Sequence, residues 1–242
     1  IDRCVQAVYR PYIASGYKGD APTLTDLQAE IKKQPEPEAQ ELALAAELFI
    51  SGSLSIFAQK TNVDQNNRLT SYNILDLGEQ LLPMGMLVIL ESIYNRVIQN
   101  WRSGRRTWVF VDEFSIFFRY PFATNFFLRM WKQVRKRAGY MTGITQNVGE
   151  MLTSKDACWM LANSEFLIML SQSASDRAAL AELLNISDTQ LSYVENADPG
   201  CGLMKFGGAF IPFVNSFPED TELYKLMTTK PADREQVKPN GV

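Results

Sequence analysis

The stretch Trp108-Val109-Phe110-Val111 sets four bulky apolar residues in a row and closes them with two carboxylates, Asp112 and Glu113. So short an apolar run between helical patterns predicts a strand over Thr107–Val111 buried on both faces, and such a strand belongs to a sheet covered by crossover helices. The same grammar recurs along the chain. Leu69–Leu75, Tyr140–Thr145 and Glu165–Leu170 read as further strands, while Leu81–Trp101, Thr124–Arg137 and Ser154–Ala162 read as helices. Helices near Asp176–Leu184 and Asp188–Glu195 follow, then a β-hairpin from Gly202 to Val214 and a short helix over Thr221–Met227. Strands separated by helices imply parallel pairing, because a crossover helix is what parallel neighbours require; the fold class is α/β.

The amino-terminal part has a different pattern. Val5, Val8, Tyr9 and Tyr12 recur at helical spacing, as do Leu24, Leu27 and Ile31 after a cap at Thr23 or Thr25. A Pro-punctuated acidic joint, Gln34-Pro35-Glu36-Pro37-Glu38, precedes a third helix with Leu42, Leu44, Ala45, Leu48 and Phe49, which Ser51-Gly52-Ser53 ends. The expected organisation is a helical appendage over 1–68, an α/β core over 69–230 and a flexible tail over 231–242.

Composition narrows the chemistry. The formal charge is −3, too balanced for a surface devoted to neutralising phosphates, so any nucleic-acid contact must be local. With no histidine, a Ser/His/Asp triad, a Cys/His dyad and a His-ligated zinc are excluded. Cys4, Cys158 and Cys201 are odd in number and far apart, which fits a reducing compartment better than a disulfide framework. The longest apolar run, Leu81–Leu90, is about half the ~20 residues a membrane span needs, so a soluble, cytoplasmic domain is expected. The opening Ile-Asp-Arg, without Met, suggests a domain excised from a longer protein.

The chemistry-bearing residues gather at strand ends. Asp112 and Glu113 would reach the carboxyl edge of the sheet, where ligands sit in open α/β folds. In phosphate chemistry such a pair divides the work: the aspartate holds magnesium through water, and the glutamate orients or deprotonates the attacking water. Gln146, after the strand ending at Thr145, brings an uncharged amide to the same edge, able to donate to a phosphate oxygen and accept from a water. Between them, Arg135-Lys136-Arg137 closes a helix before Ala138-Gly139. These cations complement the helix dipole with Gly139 as a left-handed cap, and one of them is equally a candidate arginine finger reaching a neighbouring subunit.

The phosphate cradle itself, Gly-x-x-x-x-Gly-Lys-Ser/Thr, has no counterpart: no Gly-Lys pair occurs in the chain. Gly207-Gly208 is better read as a two-residue hairpin turn. Lys60-Thr61-Asn62-Val63-Asp64 reads as a solvated loop, and Arg102, Arg105 and Arg106 as a basic helix end. The aromatic run Phe114, Phe117, Phe118, Tyr120 and Phe122 suits core packing first and a partner contact second.

Taken in order, these elements resemble a known family. Phe57-Ala58-Gln59-Lys60-Thr61-Asn62-Val63-Asp64, the strand near Thr70, Val109-Phe110-Val111-Asp112-Glu113, Arg135-Lys136 before Gly139, Thr145-Gln146 and Pro199-Gly200-Cys201-Gly202-Leu203 follow the pattern of the carboxy-terminal ATPase domain of VirB/TraE-type conjugation ATPases. These are type IV secretion proteins of the RecA-like, HerA/FtsK-like motor superfamily. The resemblance implies a RecA-like core with a carboxy-terminal hairpin and nucleotide at the carboxyl edge of the sheet. Asp112 and Glu113 would be the Walker B pair, with Asp112 toward Mg2+ and Gln146 the γ-phosphate sensor on ATP. Arg135 or Lys136 would be the contact made in trans.

It further implies a hexamer working at the cytoplasmic face of the inner membrane with other secretion components and the coupling protein, in pilus assembly or substrate transfer during conjugation. The family's Walker A strand and loop are absent from these residues, so the chain alone is expected to be inactive and to leave a strand edge exposed near Tyr140–Thr145. Two other readings stay open: a DNA-translocating coupling protein of the same superfamily, and a non-enzymatic docking module that has lost nucleotide binding.

Overall fold

A computed structural model describes residues 1–62, 67–74, 77–146 and 148–228. The chain divides into two compact units, Ile1–Gly85 and Met86–Val242.

The first unit is helical: α1 (Asp2–Ala14), α2 (Leu24–Ile31) and α3 (Pro37–Ile50). Thr23, not Thr25, starts α2, its backbone N–H and hydroxyl both donating to the Asp26 carboxylate at 2.8 and 2.9 Å. Those bonds, the backbone one foremost, hold the Asp26 carboxyl below its usual range. Pro37 opens α3 because its missing N–H would have no partner in a first turn anyway. Cys4, Ile31 and Ala43 form a small core with Leu27, Ala39 and Leu42 against it. Gln28 enters that core paired, donating from Nε2 to the Ala43 carbonyl at 2.7 Å.

Of the strand expected over Leu69–Leu75, residues 69–74 form none; a strand needs a ladder partner, and no other strand is described in this unit. Leu75 lies outside the described residues, as do Val63 and Asp64 of the polar loop and the expected tail over 231–242. Lys60, in the described part of that loop, makes an ion pair with Asp20.

Helix α4 (Gly78–Arg102) begins in the first unit and continues into the second. Among the described residues it is the one helix long and apolar enough to cross a membrane by length and composition, a stretch the run Leu81–Leu90 alone understates. Met86, Leu90 and Val97 are buried along it at helical spacing, but only 22% of its most apolar stretch is buried and Leu87 and Val88 are about half exposed.

In the second unit, β1 (Thr107–Val111) and β2 (Gly139–Gly143) are parallel neighbours, with Thr107 opposite Gly139 and Val111 opposite Gly143. They are joined through a short 3-10 helix over Phe114–Arg119 and the helix α5 (Pro121–Gln133), as parallel pairing demands. α5 starts earlier than expected, because Pro121 suits a first turn, and its last residues tighten into a 3-10 turn over Val134–Arg137. The left-handed residue after that turn is Ala138, at φ 49°, and not Gly139. Gly139 serves close approach instead: a Cβ there would overlap Val134 Cγ2.

The expectation that β1 is buried on both faces fails. Val109 and Val111 are buried, but Trp108 and Phe110 on the opposite face are 55% and 68% exposed. The pleat sends alternate residues to opposite faces, and among the described residues only one face of this two-stranded sheet is covered. On the open face Trp108 stacks on Tyr140, their ring centres 4.9 Å apart.

A second sheet has the order β3-β4-β5, from β3 (Phe166–Met169), β4 (Cys201–Phe206) and β5 (Ala209–Val214). Helices α6 (Val148–Leu152) and α7 (Lys155–Ala162) precede it, the first of them not legible as a helix in the sequence. β3 and β4 are antiparallel although helices α8 (Ala174–Leu184) and α9 (Asp188–Leu191) separate them, a departure from the parallel expectation. The register places Leu203 opposite Met169, so the two helices return the chain to the end at which β3 stopped.

β4 and β5 form the expected hairpin. Phe206 pairs with Ala209 around Gly207-Gly208, with φ 56° at Gly207 supplying the turn. Met169, Leu180, Leu184, Ile186, Val194 and Leu203 make the core between this sheet and its helices. The opposite face leaves Phe166, Ile168, Phe206 and Ile211 about half exposed. Helix α10 (Glu222–Met227) closes the described chain. The overall class is the α/β expected, with its strands in two separate sheets among the described residues.

Candidate active site

The two strands that sequence spacing singled out lie side by side and point the same way, so the residues leaving their carboxyl ends meet. The ladder continues one step beyond the strands. The Ile144 amide donates to the Val111 carbonyl and the Phe114 amide to the Ile144 carbonyl, both at 2.8 Å. This lacing carries Asp112, Glu113 and Gln146 to one edge. Gln146 Nε2 donates to Glu113 Oε1 at 2.9 Å, uniting residues 33 apart in sequence.

Glu113 has a left-handed backbone, φ 47° and ψ 47°, where a side chain is uncommon. Its own N–H donates to Asp112 Oδ1 at 3.0 Å, which fixes one aspartate oxygen and leaves the exposed carboxylate's other oxygen open to solvent. The floor beneath this turn is aromatic. Phe114, nearly fully buried, lies 4.9 Å from Phe127 edge-on and 5.5 Å from Trp131 in a stacked pair. Trp131 is anchored in turn by its Nε1–H, which donates to Ser164 Oγ at 3.2 Å. The aromatic run after Glu113 is therefore core packing, with Phe114 and Phe117 buried. Gly143 admits the Phe114 ring: a Cβ there would meet the ring at 2.5 Å.

A second link joins the same two segments. Arg119, ending the 3-10 helix that follows Glu113, donates from Nε to Glu150 Oε1 at 2.6 Å; Glu150 lies in α6, just after Gln146. The hydrogen bond from Arg119 holds the Glu150 carboxyl below its usual range. No local motif marks Arg119 or Glu150; only the fold brings them together, which is why sequence reasoning missed them.

Arg135 and Lys136 do not join this edge. They precede β2, whereas Gln146 follows it, so a strand of five residues, roughly 16 Å at ~3.3 Å per residue, separates the two ends. Both are exposed, and neither side chain makes an ion pair among the described residues. Arg137 is drawn back instead: its guanidinium lies 5.5 Å from the Tyr94 ring centre and donates to Gln133 Oε1 at 3.3 Å.

The donor set at the edge suits a hard cation that keeps most of its water. Among the described residues no three Asp, Glu or Cys side chains converge as a protein-only metal cage. Magnesium is held by one or two carboxylates plus substrate phosphates and water, and the exposed carboxylate at this edge is Asp112. A cleft of about 470 Å³ lies elsewhere, within the first unit, lined by Tyr9, Asp20, Thr23, Leu27, Phe57 and Lys60. It contains none of the strand-end residues.

No family model and no curated protein matches the sequence. Among solved structures, VirB4 of Thermoanaerobacter pseudethanolicus superposes with a TM-score of 0.74 at 23% identity, over 90% of this chain and 63% of that one. The plasmid coupling protein TrwB, in complex with the non-hydrolysable GTP analogue GDPNP, gives 0.49 at 15% identity over the same shares. An unbound form of the conjugative coupling protein TrwB gives 0.47 at 13%. The chain thus spans less than two thirds of the VirB4 chain it matches, and over nearly all of its own length its α/β fold is that of VirB4.

Proposed function

We propose that these residues form the water-activating and phosphate-sensing part of an ATP-hydrolysing motor of the type IV secretion kind, acting in conjugative transfer. The observation that carries this reading is the Glu113–Gln146 hydrogen bond at the carboxyl end of two parallel strands. It puts a carboxylate and an amide on one small volume, the pairing needed to hold a water between a proton acceptor and a hydrogen-bond donor.

Bound Mg-ATP would supply the phosphoryl group and charge neutralisation. Asp112 would hold the cation through water. Glu113 would accept the proton of the attacking water at Oε2, the oxygen that Gln146 does not engage. Gln146 would exchange its bond to Glu113 for one to the terminal phosphate, reporting that the nucleotide is in place. Phe114, locked over Gly143, fixes the direction from which Glu113 arrives.

Arg135 and Lys136, exposed at the other end of β2, would serve the nucleotide of a neighbouring copy rather than their own, as in a ring such as a hexamer. The chain has no Gly-Lys pair to grip the β- and γ-phosphates, so on this reading that grip would have to be supplied by another segment or chain, and these 242 residues alone would not turn ATP over. The work would be done on the cytoplasmic side of the membrane, with other secretion components as partners.

The test is ATP turnover by this chain and by the same chain extended at its amino end to include a phosphate loop, each with Glu113→Gln. Turnover confined to the extended protein, lowered about 10²–10⁴-fold by the substitution, is the expected result. Equal turnover with and without the Glu113 carboxylate would defeat the assignment.

A further inference from the structure

The segments leaving β1 and β2 are stitched together twice. The first stitch is Glu113 to Gln146; the second, six residues on in one segment and four in the other, is Arg119 to Glu150. We propose that Arg119 and Glu150 are a positioning pair for the hydrolytic reaction, holding the Glu113 turn at a fixed separation from the Gln146 turn. This rests on the ATP-hydrolysing reading above.

The second stitch is suited to that work. Arg119 ends the 3-10 helix that Glu113 begins, so the helix is a short rigid arm with the carboxylate at one end and the guanidinium at the other. Glu150 sits in α6, which starts two residues after Gln146. A charge-assisted bond at 2.6 Å is stronger and more directional than a neutral one. Arg119 is largely exposed and Glu150 about one third exposed, so the pair adds little to global stability. Its effect is on local geometry.

A second observation lies between the two ends. Ser115 is fully buried and its Oγ has no hydrogen-bond partner at ordinary geometry, yet it is near enough to Glu150 to help hold that carboxyl low. A buried hydroxyl without a partner is costly.

The experiment uses the full-length protein containing the phosphate loop. Wild type, Glu113→Gln, Arg119→Ala, Glu150→Gln and the double exchange Arg119→Glu with Glu150→Arg are compared in ATP turnover, ATP affinity and melting temperature. A misplacement of about 1 Å costs up to ~10²-fold in rate, so the single variants should lower kcat ten- to a hundredfold with KM for ATP nearly unchanged. The exchange should recover most of the loss, and kcat should fall in the single variants without a matching fall in melting temperature, which a purely structural role would not produce. Hydrogen exchange on the same proteins should show faster opening of the Ile144 and Phe114 amides in the single variants and normal protection in the exchange.

An active wild type with unaffected single variants, or an exchange no better than the worse single variant, overturns the pair and leaves the ATPase reading standing. A wild type that binds ATP but does not turn it over defeats that reading and the pair's role with it.

Discussion

Replacing Gly143 by alanine is the sharpest structural test of how this site is built. The new Cβ would lie 2.5, 2.9 and 3.0 Å from Cδ1, Cγ and Cε1 of the Phe114 ring, where carbon atoms prefer about 3.5–4.0 Å. The ring must retreat by roughly 1 Å. It has nowhere to go: Phe118 and Phe127 meet it edge-on at 5.0 and 4.9 Å, and Trp131 stacks on it at 5.5 Å.

Overpacking of this kind costs about 2 kcal/mol, which for a chain of this size is a fall in melting temperature of ~4–8 °C. Near-ultraviolet circular dichroism on thermal unfolding reads the aromatic cluster directly. Gly208→Ala is the control, since a Cβ there meets nothing within 4 Å. Adding Phe114→Leu to Gly143→Ala should return part of the loss, because the two residues share one contact and their effects cannot be additive. If Gly143→Ala melts within about 1 °C of wild type, the claim that Phe114 is clamped over β2 is wrong.

Two further outcomes follow from local structure. Asp26 has its folded-state pKa depressed by the Thr23 donors, so its contribution is present above the unfolded value and lost as pH falls through the folded one. The helical unit should therefore lose stability on acidification below the ordinary aspartate range, and Asp26→Asn should flatten that limb in a pH series of urea melts. Ser154 accepts the Ala157 amide at 3.3 Å as the cap of α7, so Ser154→Ala should cost about 1 kcal/mol and speed hydrogen exchange in the first turn of that helix.

The strand and helix order of the second unit was largely legible because its signals are short-range. Apolar runs and the Gly207-Gly208 turn act within a few residues, whereas the Ser173 cap, which starts α8 two residues before the expected Asp176, was not legible. Asp112, Glu113 and Gln146 could be placed at one edge because parallel pairing sends both strand ends the same way. What sequence could not supply is the partner on each face. Trp108 and Phe110 have the composition of a buried strand and sit on an open face, since burial depends on what covers a sheet and not on the strand's own residues. The antiparallel return of β4 was hidden for a related reason: helices between strands imply a crossover but leave open the end of the sheet to which the chain returns. Arg119 and Glu150, 31 residues apart, carried no signal at all before the fold joined them.

The left-handed backbone at Glu113 sets stability and chemistry against each other. Glycine would sit there without steric cost, whereas a side chain in that region costs on the order of 1 kcal/mol, only partly offset by the bond to Asp112. A search for more stable variants would thus be drawn to Glu113→Gly and would discard the carboxylate proposed above as the proton acceptor in the same step. On that proposal, thermal robustness and turnover are read from opposite sides of one torsion angle, and a protein tuned for either alone would choose a different residue.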